Sequence, residues 1–390
     1  MIYLDNAATT QISEEVLDEM MPYLKDRYGN AGSVHQIGRQ AFEAVEIARQ
    51  RVASLLDVQP TQIIFTSGGT EANNMVFQCT RDYLDGHPDI VVSAGEHDSV
   101  LKAAEKAAQS NHGHVFQISL DKYGYVDEDD FHHTIIYKGN IGLVSIMRTN
   151  NETGVINNVP YLFKMIDEYK KFHALTHSDC VQAAGTEPLG EIVKCCDFVS
   201  ISSHKIHGPK GVGALYAKDK GIMKPLICGG RVQEYGLRGG TENVAGIVGF
   251  GKACELAEKN LQENIQKMHS LYNCFIKTLL EALNEYGLEY LFHINCFTDS
   301  VKTHSIRFDG IPADTLLMML DANGICVSAG SACTAHNDGL SHVLKAMGTS
   351  ERDIRSSIRV SFSEMNTQRE MEVAAIGIAS IVCKLHKNMV

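Results

Sequence analysis

Short apolar runs alternate with helix-length segments over about two hundred residues of this chain, and this order limits the possible folds. Runs typical of buried strands, bounded by Gly, Asp or Asn, occur at residues 63–66, 90–93, 115–118, 143–147, 198–202 and 213–216. Segments of helical length lie between several of them, for example at 71–83 and 161–172. This order predicts an α/β fold with a mostly parallel sheet, helices on both faces and ligands at the carboxyl ends of the strands.

The pattern changes in the last third of the chain. A charged helical stretch is predicted from residue 253 to 286, with Gly287 as its stop. Short strands at 305–308, 325–327 and 359–362 then mix with helices at 313–321 and 367–387, which is typical of a smaller α+β domain. We therefore expect a large domain of residues 14–257, and a small domain built from residues 1–13 and 258–390.

Composition is that of an ordinary globular protein, with 44% hydrophobic and 21% charged residues. The formal net charge of −12 argues against broad attraction to nucleic acid. The most apolar late stretch, residues 373–383, falls short of the ~20 residues that a membrane-spanning helix needs. No basic and then apolar leader begins the chain, so the expected location is the cytoplasm.

Eleven cysteines are scattered along the chain without a Cys-x-x-Cys motif, which argues against a disulfide framework or a zinc ribbon. Cys195-Cys196, His112-Gly113-His114 and His132-His133 lack visible third and fourth ligands. We therefore predict no metal site.

The loops that follow the predicted strands carry polar and glycine residues. Gly68-Gly69-Thr70 precedes a helix, where free N–H groups favour a phosphate, although two glycines are also typical of a plain tight turn. His97 and Asn151 follow later strands, and a structural hydrogen-bonding role is the alternative for each.

Two further strand ends carry groups that suit an aldehyde cofactor. Asp179 and Gln182 could pair with a cationic ring nitrogen and a phenolate, although a helix N-cap is the more common role of such an aspartate. Ser202, His204 and Lys205 follow next, and a lysine amine can bond covalently to an aldehyde. A phosphate cradle, an imidazole, an aspartate and a lysine, in this order, are what pyridoxal phosphate requires.

A second segment, Ala329-Gly330-Ser331-Ala332-Cys333-Thr334, places a thiol among small residues. A polar run to Ser341 follows, which is typical of an exposed loop that could carry sulfur outward. The alternative for Cys333 is a small buried residue.

Together these motifs resemble the cysteine desulfurases of the pyridoxal-phosphate-dependent class V aminotransferase group. The resemblance runs from Tyr3 to Phe362. Its most specific pieces are His-Lys-Ile-x-Gly-Pro-Lys-Gly at 204–211, Arg-x-Gly-Thr-Glu-Asn at 238–243 and Ser-Ala-Cys-Thr at 331–334. The last piece is similar to the branch with a long catalytic loop, and it separates the chain from aminotransferases that need no thiol.

The resemblance implies a fold type I pyridoxal-phosphate enzyme and a role for each matching residue. Lys205 would hold the cofactor and move the substrate α-proton, His97 would stack on the ring, and Asp179 would keep the ring nitrogen protonated. The expected cofactor-binding residues are Gly69, Thr70, Asn151, Asp179, Gln182, Ser202, His204, Lys205 and Thr241, the last from the neighbouring subunit of a homodimer.

The same resemblance implies how the substrate, L-cysteine, is bound. Arg359 would clamp its carboxylate, with Asn30 and Asn151 lining the same pocket. Cys333 would attack the substrate sulfur, release L-alanine and keep a persulfide for an acceptor protein. The acceptor pathways left open are iron-sulfur cluster assembly, tRNA thiolation and DNA phosphorothioation.

The chain departs from the family pattern at several positions. Gly230-Arg231-Val232 replaces part of a glycine run, Arg148 replaces a common histidine, Cys180 adds a thiol beside the cofactor, and Ala31 replaces a proline. Two other functions stay open: a related enzyme, such as a selenocysteine lyase or an aminotransferase, and a non-enzymatic thiol or metal-binding protein. The ordered cofactor motifs argue against the latter.

Overall fold

A computed structural model describes residues 1–79, 89–169, 174–230, 233–330 and 340–389. Seven of its strands form one sheet in the order β2-β8-β7-β6-β5-β3-β4. The strands of the described residues are β1 Ile2–Tyr3, β2 Ile63–Thr66, β3 Asp89–Ser93, β4 Val115–Ile118, β5 Ile141–Ser145, β6 Leu175–Asp179, β7 Phe198–Ser202, β8 Gly213–Ala217, β9 Phe292–Ile294, β10 Thr303–Phe308, β11 Ile325–Cys326 and β12 Ser357–Ser361.

Strand direction in the large sheet brings the polar loops together. The strands β7, β6, β5, β3 and β4 pair in parallel, and β8 is antiparallel to both β7 and β2. Strand β2 therefore runs in the same direction as β7. As a result, the carboxyl ends of β2, β7, β6, β5 and β3 lie at one edge of the sheet, where ligands bind in folds of this kind.

Apolar side chains of the sheet alternate between two buried clusters. Ile63 and Phe65 of β2 pack into one cluster, whereas Ile64 between them packs into the other. Because neighbouring residues of a strand point to opposite faces, the sheet has a core on each side. The prediction of an α/β fold with a mostly parallel sheet covered on both faces is confirmed.

Thirteen helices lie in the described residues and cover the sheets. They are α1 Glu14–Lys25, α2 Gln36–Leu56, α3 Gly69–Cys79, α4 Asp98–Asn111, α5 Glu128–Tyr137, α6 Val159–Tyr169, α7 Gly190–Lys194, α8 Val244–Lys259, α9 Leu261–Glu285, α10 Ala313–Ala322, α11 His342–Ala346, α12 Glu351–Ile354 and α13 Gln368–Met389. In the described part of the chain, no helix is long and apolar enough to span a bilayer.

The C-terminal part has its own sheet and its own apolar cluster. Strands β12, β10 and β9 form an antiparallel sheet, and β1 pairs in parallel with β11. The cluster joins Leu4, near the N-terminus, to side chains of α9, α10 and α13. The first residues of the chain therefore pack with its C-terminal third.

The structure differs from the sequence-based predictions in several elements, of which two bear on the fold around the site. The predicted helix over 253–286 is two helices, α8 and α9, because Asn260 leaves helical geometry (φ −102°, ψ 8°) and caps the end of α8. Strand β6 was not among the predicted strands, since its sequence Leu-Thr-His-Ser-Asp has no apolar run. Its buried His177 is hydrogen-bonded at both ring nitrogens, to Ser145 Oγ at 2.7 Å and Ser200 Oγ at 3.1 Å.

Gly213 allows the closest approach between β8 and the turn after β2. A Cβ at this position would lie 2.7 Å from Gly68 Cα and 2.7 Å from the carbonyl oxygen of Ile201, both backbone atoms. Gly213→Ala should therefore lower the free energy of unfolding by about 1–3 kcal/mol in a denaturant titration. Gly139→Ala is the matched control, because a Cβ there meets nothing within 4 Å. Equal stability of the two variants would contradict this prediction.

Candidate active site

Loops that follow five strands of the large sheet line one cavity of about 220 Å³. The N-terminal segment closes it on one side with Ala7 and Ala8. The other lining residues are Gly69, Thr70, Asn73, His97, Ser99, Met147, Asn151, Asp179, Val181, Gln182, Ser202, His204, Lys205 and Arg359. Most of the residues predicted for cofactor and substrate binding are thus brought together.

The turn between β2 and α3 forms an anion cradle. Gly68 has a φ of +151°, which side chains rarely allow, and α3 begins at Gly69. A Cβ on Gly69 would lie 2.7 Å from the side chain of Val181, so that position cannot hold a larger residue without rearrangement. Free N–H groups of the first helical turn, beside Thr70 and Ser202, suit a phosphate group.

His204 lines the same cavity as a neutral ring. Its Nδ1 lies 3.1 Å from Thr9 Oγ1. Burial, together with nearby positive charges, lowers the pKa of His204 to about 3. These charges belong to Lys205, Lys302 and Lys210. A neutral imidazole can donate one hydrogen bond to a ligand without adding charge.

Asp179, at the end of β6, is held by hydrogen bonds to both carboxylate oxygens. Oδ1 accepts the N–H of Val181 at 2.9 Å, and Oδ2 accepts Asn73 Nδ2 at 2.7 Å. Asn73 also donates to Ser99 Oγ at 2.9 Å. The backbone bond closes a turn after β6 and is not the helix N-cap that the sequence left open, because the next described helix begins only at Gly190; the aspartate also lines the cavity.

Asn73 is a site residue that the sequence analysis missed. It lies four residues after Gly69, in the first turns of α3, so its spacing from the glycine turn was the available signal. Its contact with Asp179 depends on how α3 packs against β6, which a single sequence does not reveal.

His97 both caps a helix and lines the cavity. It is the N-cap of α4, and its Nδ1 accepts the N–H of Ser99 at 3.1 Å. Since Nδ1 is an acceptor, a neutral ring carries its proton on Nε2. His97 can therefore cap α4 and contact a ligand in the cavity at the same time.

Lys205 lies just after β7, with a nearly buried amine. Its Nζ donates hydrogen bonds to the carbonyl oxygens of Ala7 at 2.5 Å and Ala8 at 2.8 Å. Burial, together with the positive charges of Lys302 and Arg359, lowers the pKa of Lys205 to about 7. About half of the amine is then neutral at pH 7, which is the form that attacks a carbonyl carbon.

Arg359, on β12, brings the small sheet to the cavity and is 2% exposed. Its Nη2 pairs with Asp5 Oδ1 at 2.7 Å, and its Nη1 donates to the carbonyl oxygen of Asn151 at 2.9 Å. Asp5 is a second residue that the sequence analysis did not assign to the site.

Three buried polar atoms of cavity-lining residues have no hydrogen-bond partner among the described residues. They are Asn73 Oδ1, Gln182 Oε1 and Arg359 Nε. Buried polar atoms are costly unless they are satisfied, so these atoms indicate a polar ligand. Gln182 Nε2 is already bound to the carbonyl oxygen of Ala7 at 2.9 Å. The donor and acceptor set fits pyridoxal phosphate and an amino acid.

Three predicted site residues do not line this cavity. Asn30 is exposed, and its side chain instead accepts the N–H of Gly32 at 2.8 Å within a turn. Thr241 is also exposed, and its role in a neighbouring subunit stays a prediction. Cys333 lies outside the described residues.

The structure shows the surroundings of two residues, Arg148 and Cys180, that depart from the family pattern. Arg148 is ion-paired with Glu187 at 2.6 Å rather than lining the cavity. Cys180 is fully buried, and burial raises the pKa of its thiol, so it is a poor nucleophile. Residues 231 and 232 lie outside the described residues. Among the described residues, no group of three or more His, Cys, Asp or Glu side chains could hold a metal ion.

Comparison with known proteins places the chain in a family. The model of the aminotransferase class V family matches residues 2–373, and the chain belongs to this family of pyridoxal-phosphate-dependent enzymes. Within it, the chain belongs with the cysteine desulfurases, as the sequence motifs predict. A cysteine desulfurase of Sinorhizobium fredii is 38% identical over 99% of this chain and 98% of its own length. One of Dictyoglomus turgidum, named IscS, is 35% identical over 98% of this chain and 95% of its own length.

Solved structures agree with this assignment. A NifS-like protein superposes with a TM-score of 0.88 at 34% identity, covering 98% of this chain and all of that chain. SspA in complex with cysteine has a TM-score of 0.77 at 28% identity, covering 94% of this chain and all of that one.

The lowered pKa of Lys205 predicts how the cofactor-free chain takes up pyridoxal phosphate at different pH values. Because the pKa is about 7, the uptake rate should rise with pH through neutrality and then level off. An ordinary lysine would continue to gain reactivity up to about pH 10. Stopped-flow absorbance between about pH 5 and pH 9 measures this rate, and a rise that persists across the whole range would contradict the prediction.

Proposed function

We propose that the protein is a cysteine desulfurase that converts L-cysteine to L-alanine and transfers the sulfur to Cys333 as a persulfide. One observation carries the proposal: a lysine with a pKa of about 7 shares a cavity with a fixed aspartate and a buried arginine. These groups suit an aldehyde cofactor and an amino acid carboxylate. The similarity to desulfurases of known name, and to SspA, which was solved with cysteine, supports this substrate.

The residues that would hold pyridoxal phosphate follow from the cavity. Gly69, Thr70, Ser202 and His204 would bind its phosphate, and Lys205 would bond to its aldehyde carbon. Asp179 would pair with the ring nitrogen, while Gln182 and Asn151 would face the ring oxygen. When bound, the cofactor supplies an electron-withdrawing ring that stabilises negative charge at the substrate α-carbon.

Lys205 and His97 would handle protons. With a pKa of about 7, the Lys205 amine can accept a proton from the substrate α-carbon and return it later in the reaction. The His97 ring is held in place through Nδ1, and Nε2 would be the atom that exchanges protons.

Arg359 would bind the substrate carboxylate. Its guanidinium is planar and permanently charged, and its buried Nε has no partner among the described residues. The same guanidinium also pairs with Asp5, so the incoming carboxylate meets a group whose position is already fixed.

Cys333 would carry the sulfur transfer. Its thiolate forms an S–S bond with the substrate sulfur while the substrate Cβ–S bond breaks, and a proton is taken up at the carbon. The products are L-alanine and a Cys333 persulfide, whose outer sulfur passes to an acceptor protein. An unperturbed thiol, with a pKa of about 8.5, is only a few per cent thiolate at neutral pH, so the substrate or the site must promote its deprotonation.

We propose further that the chain works in the cytoplasm as a homodimer, in which Thr241 reaches the phosphate of the neighbouring subunit. An apolar stripe on α1 supports a dimer. Leu17, Met21 and Leu24 lie on one face of this helix, and their exposed fractions are 42%, 37% and 59%. Exposed apolar stripes of this kind mark protein–protein contacts.

Arg359→Lys should raise the KM for L-cysteine by about tenfold or more, because lysine cannot form a two-pronged bond with a carboxylate. Steady-state kinetics measures this change. Arg148→Lys is the matched control, since Arg148 is also ion-paired but does not line the cavity. Unchanged KM in Arg359→Lys would exclude Arg359 as the carboxylate clamp.

Cys333→Ala should abolish alanine formation while the cofactor absorbance is retained. The measurement is alanine together with protein-bound persulfide, located by peptide mass after addition of L-cysteine without reductant. Cys228→Ala, which removes an exposed thiol, should leave both products intact. Full activity of Cys333→Ala would refute the mechanism, and a preference for selenocysteine, or turnover with a keto acid without sulfur release, would favour the related enzymes.

A further inference from the structure

A second buried lysine, Lys302, lies next to the main chain of Lys205. It directly precedes β10 of the small sheet, and it is 5% exposed. Its Nζ donates a hydrogen bond to the carbonyl oxygen of Lys205 at 2.7 Å. A buried ammonium is costly, so a lysine in this position needs a physical reason.

A second cavity, of about 190 Å³, is lined by both Lys205 and Lys302. His207 and Glu364 also line it, and their side chains approach to 3.3 Å. Glu15 is the remaining acidic residue of its wall. Among the described residues, the carbonyl of Lys205 is the hydrogen-bond acceptor found for the Lys302 ammonium.

The charge of Lys302 influences the protonation of the Lys205 amine. Burial lowers the pKa of Lys302 to about 8, with Glu364 raising it and Arg359 lowering it. Lys302 is therefore mostly protonated at pH 7. For Lys205, the pKa is lowered most by burial, then by Lys302 and then by Arg359, and the charges of Asp5 and Asp179 oppose this shift.

We propose that Lys302 is a positioning residue for Lys205: one hydrogen bond holds the Lys205 main chain, and the buried positive charge keeps the Lys205 amine reactive. This inference rests on the proposed role of Lys205 as the residue that bonds the cofactor. A purely structural lysine would stabilise the fold without changing the protonation of the neighbouring amine. The two possibilities therefore differ in a pH-dependent signal.

The test is a pH titration of the cofactor absorbance in the full chain loaded with pyridoxal phosphate. Lys302→Met removes the charge, so the midpoint of the absorbance change should move up by about one pH unit. In the cofactor-free form, uptake of pyridoxal phosphate at pH 7 should slow several-fold. Lys302→Arg, which keeps a charge and a donor, should restore both values towards those of the original chain.

Two further variants make the result decisive. Lys122→Met, at an exposed lysine, should leave the midpoint unchanged. If Lys302→Met does not fold, Lys302→Gln replaces it, because a neutral donor keeps some polarity without the charge. An unmoved midpoint in the folded neutral variant overturns the proposal.

Neither readout needs cysteine turnover, so failure of this inference can be distinguished from failure of the proposed function. Borohydride reduction followed by peptide mass shows whether the cofactor is bonded to Lys205. If it is not, the proposed function is wrong and this inference falls with it. If it is, an unmoved midpoint overturns the role of Lys302 alone.

Discussion

The ion pair between the buried Arg359 and the half-buried Asp5 joins the parts of the molecule on which the site depends. Arg359 belongs to β12 of the small sheet, and Asp5 belongs to the N-terminal segment that forms one wall of the cavity. Removal of Asp5 would leave the buried charge of Arg359 without compensation, and about 3–5 kcal/mol, the cost for a fully buried pair, is the upper bound of that loss. The pair therefore fixes the small sheet against the cavity as well as placing a cation inside it.

The N-terminal segment extends this connection to the large sheet. The carbonyls of Ala7 and Ala8 accept hydrogen bonds from Lys205, and the carbonyl of Thr9 accepts one from Tyr3. Thr10 donates to the carbonyl oxygen of His204 at 3.0 Å. A stretch of a few residues thus contacts the loop after β7 and the small sheet at once. Because this stretch is short, the loop after β7 and the small sheet have little freedom to move relative to each other.

Much of the site could be predicted from the sequence, because its residues follow apolar runs that form strands. Parallel strands place their ends at one edge, so Gly69, His97 and Lys205 were expected together. Asp179 was expected beside them from the order of the motifs, although its strand was not predicted. Residues whose roles arise from tertiary contacts were not predicted: Asn73 reaches Asp179 through helix packing. Strand β6 was missed because its polar residues are satisfied by neighbouring strands, and periodicity does not report such bonds.

The same hydrogen bonds give the N-terminal segment a part in ligand exchange. Covalent capture of an aldehyde by Lys205 has to replace the bonds that its amine makes with Ala7 and Ala8. A substrate carboxylate can bond to the unpartnered Nε of Arg359 while the ion pair with Asp5 stays in place. Filling the site therefore releases the bonds that hold Ala7 and Ala8, and it leaves the ion pair of Asp5 in place. The hydrogen bonding of this short segment should therefore differ between the empty and the filled cavity.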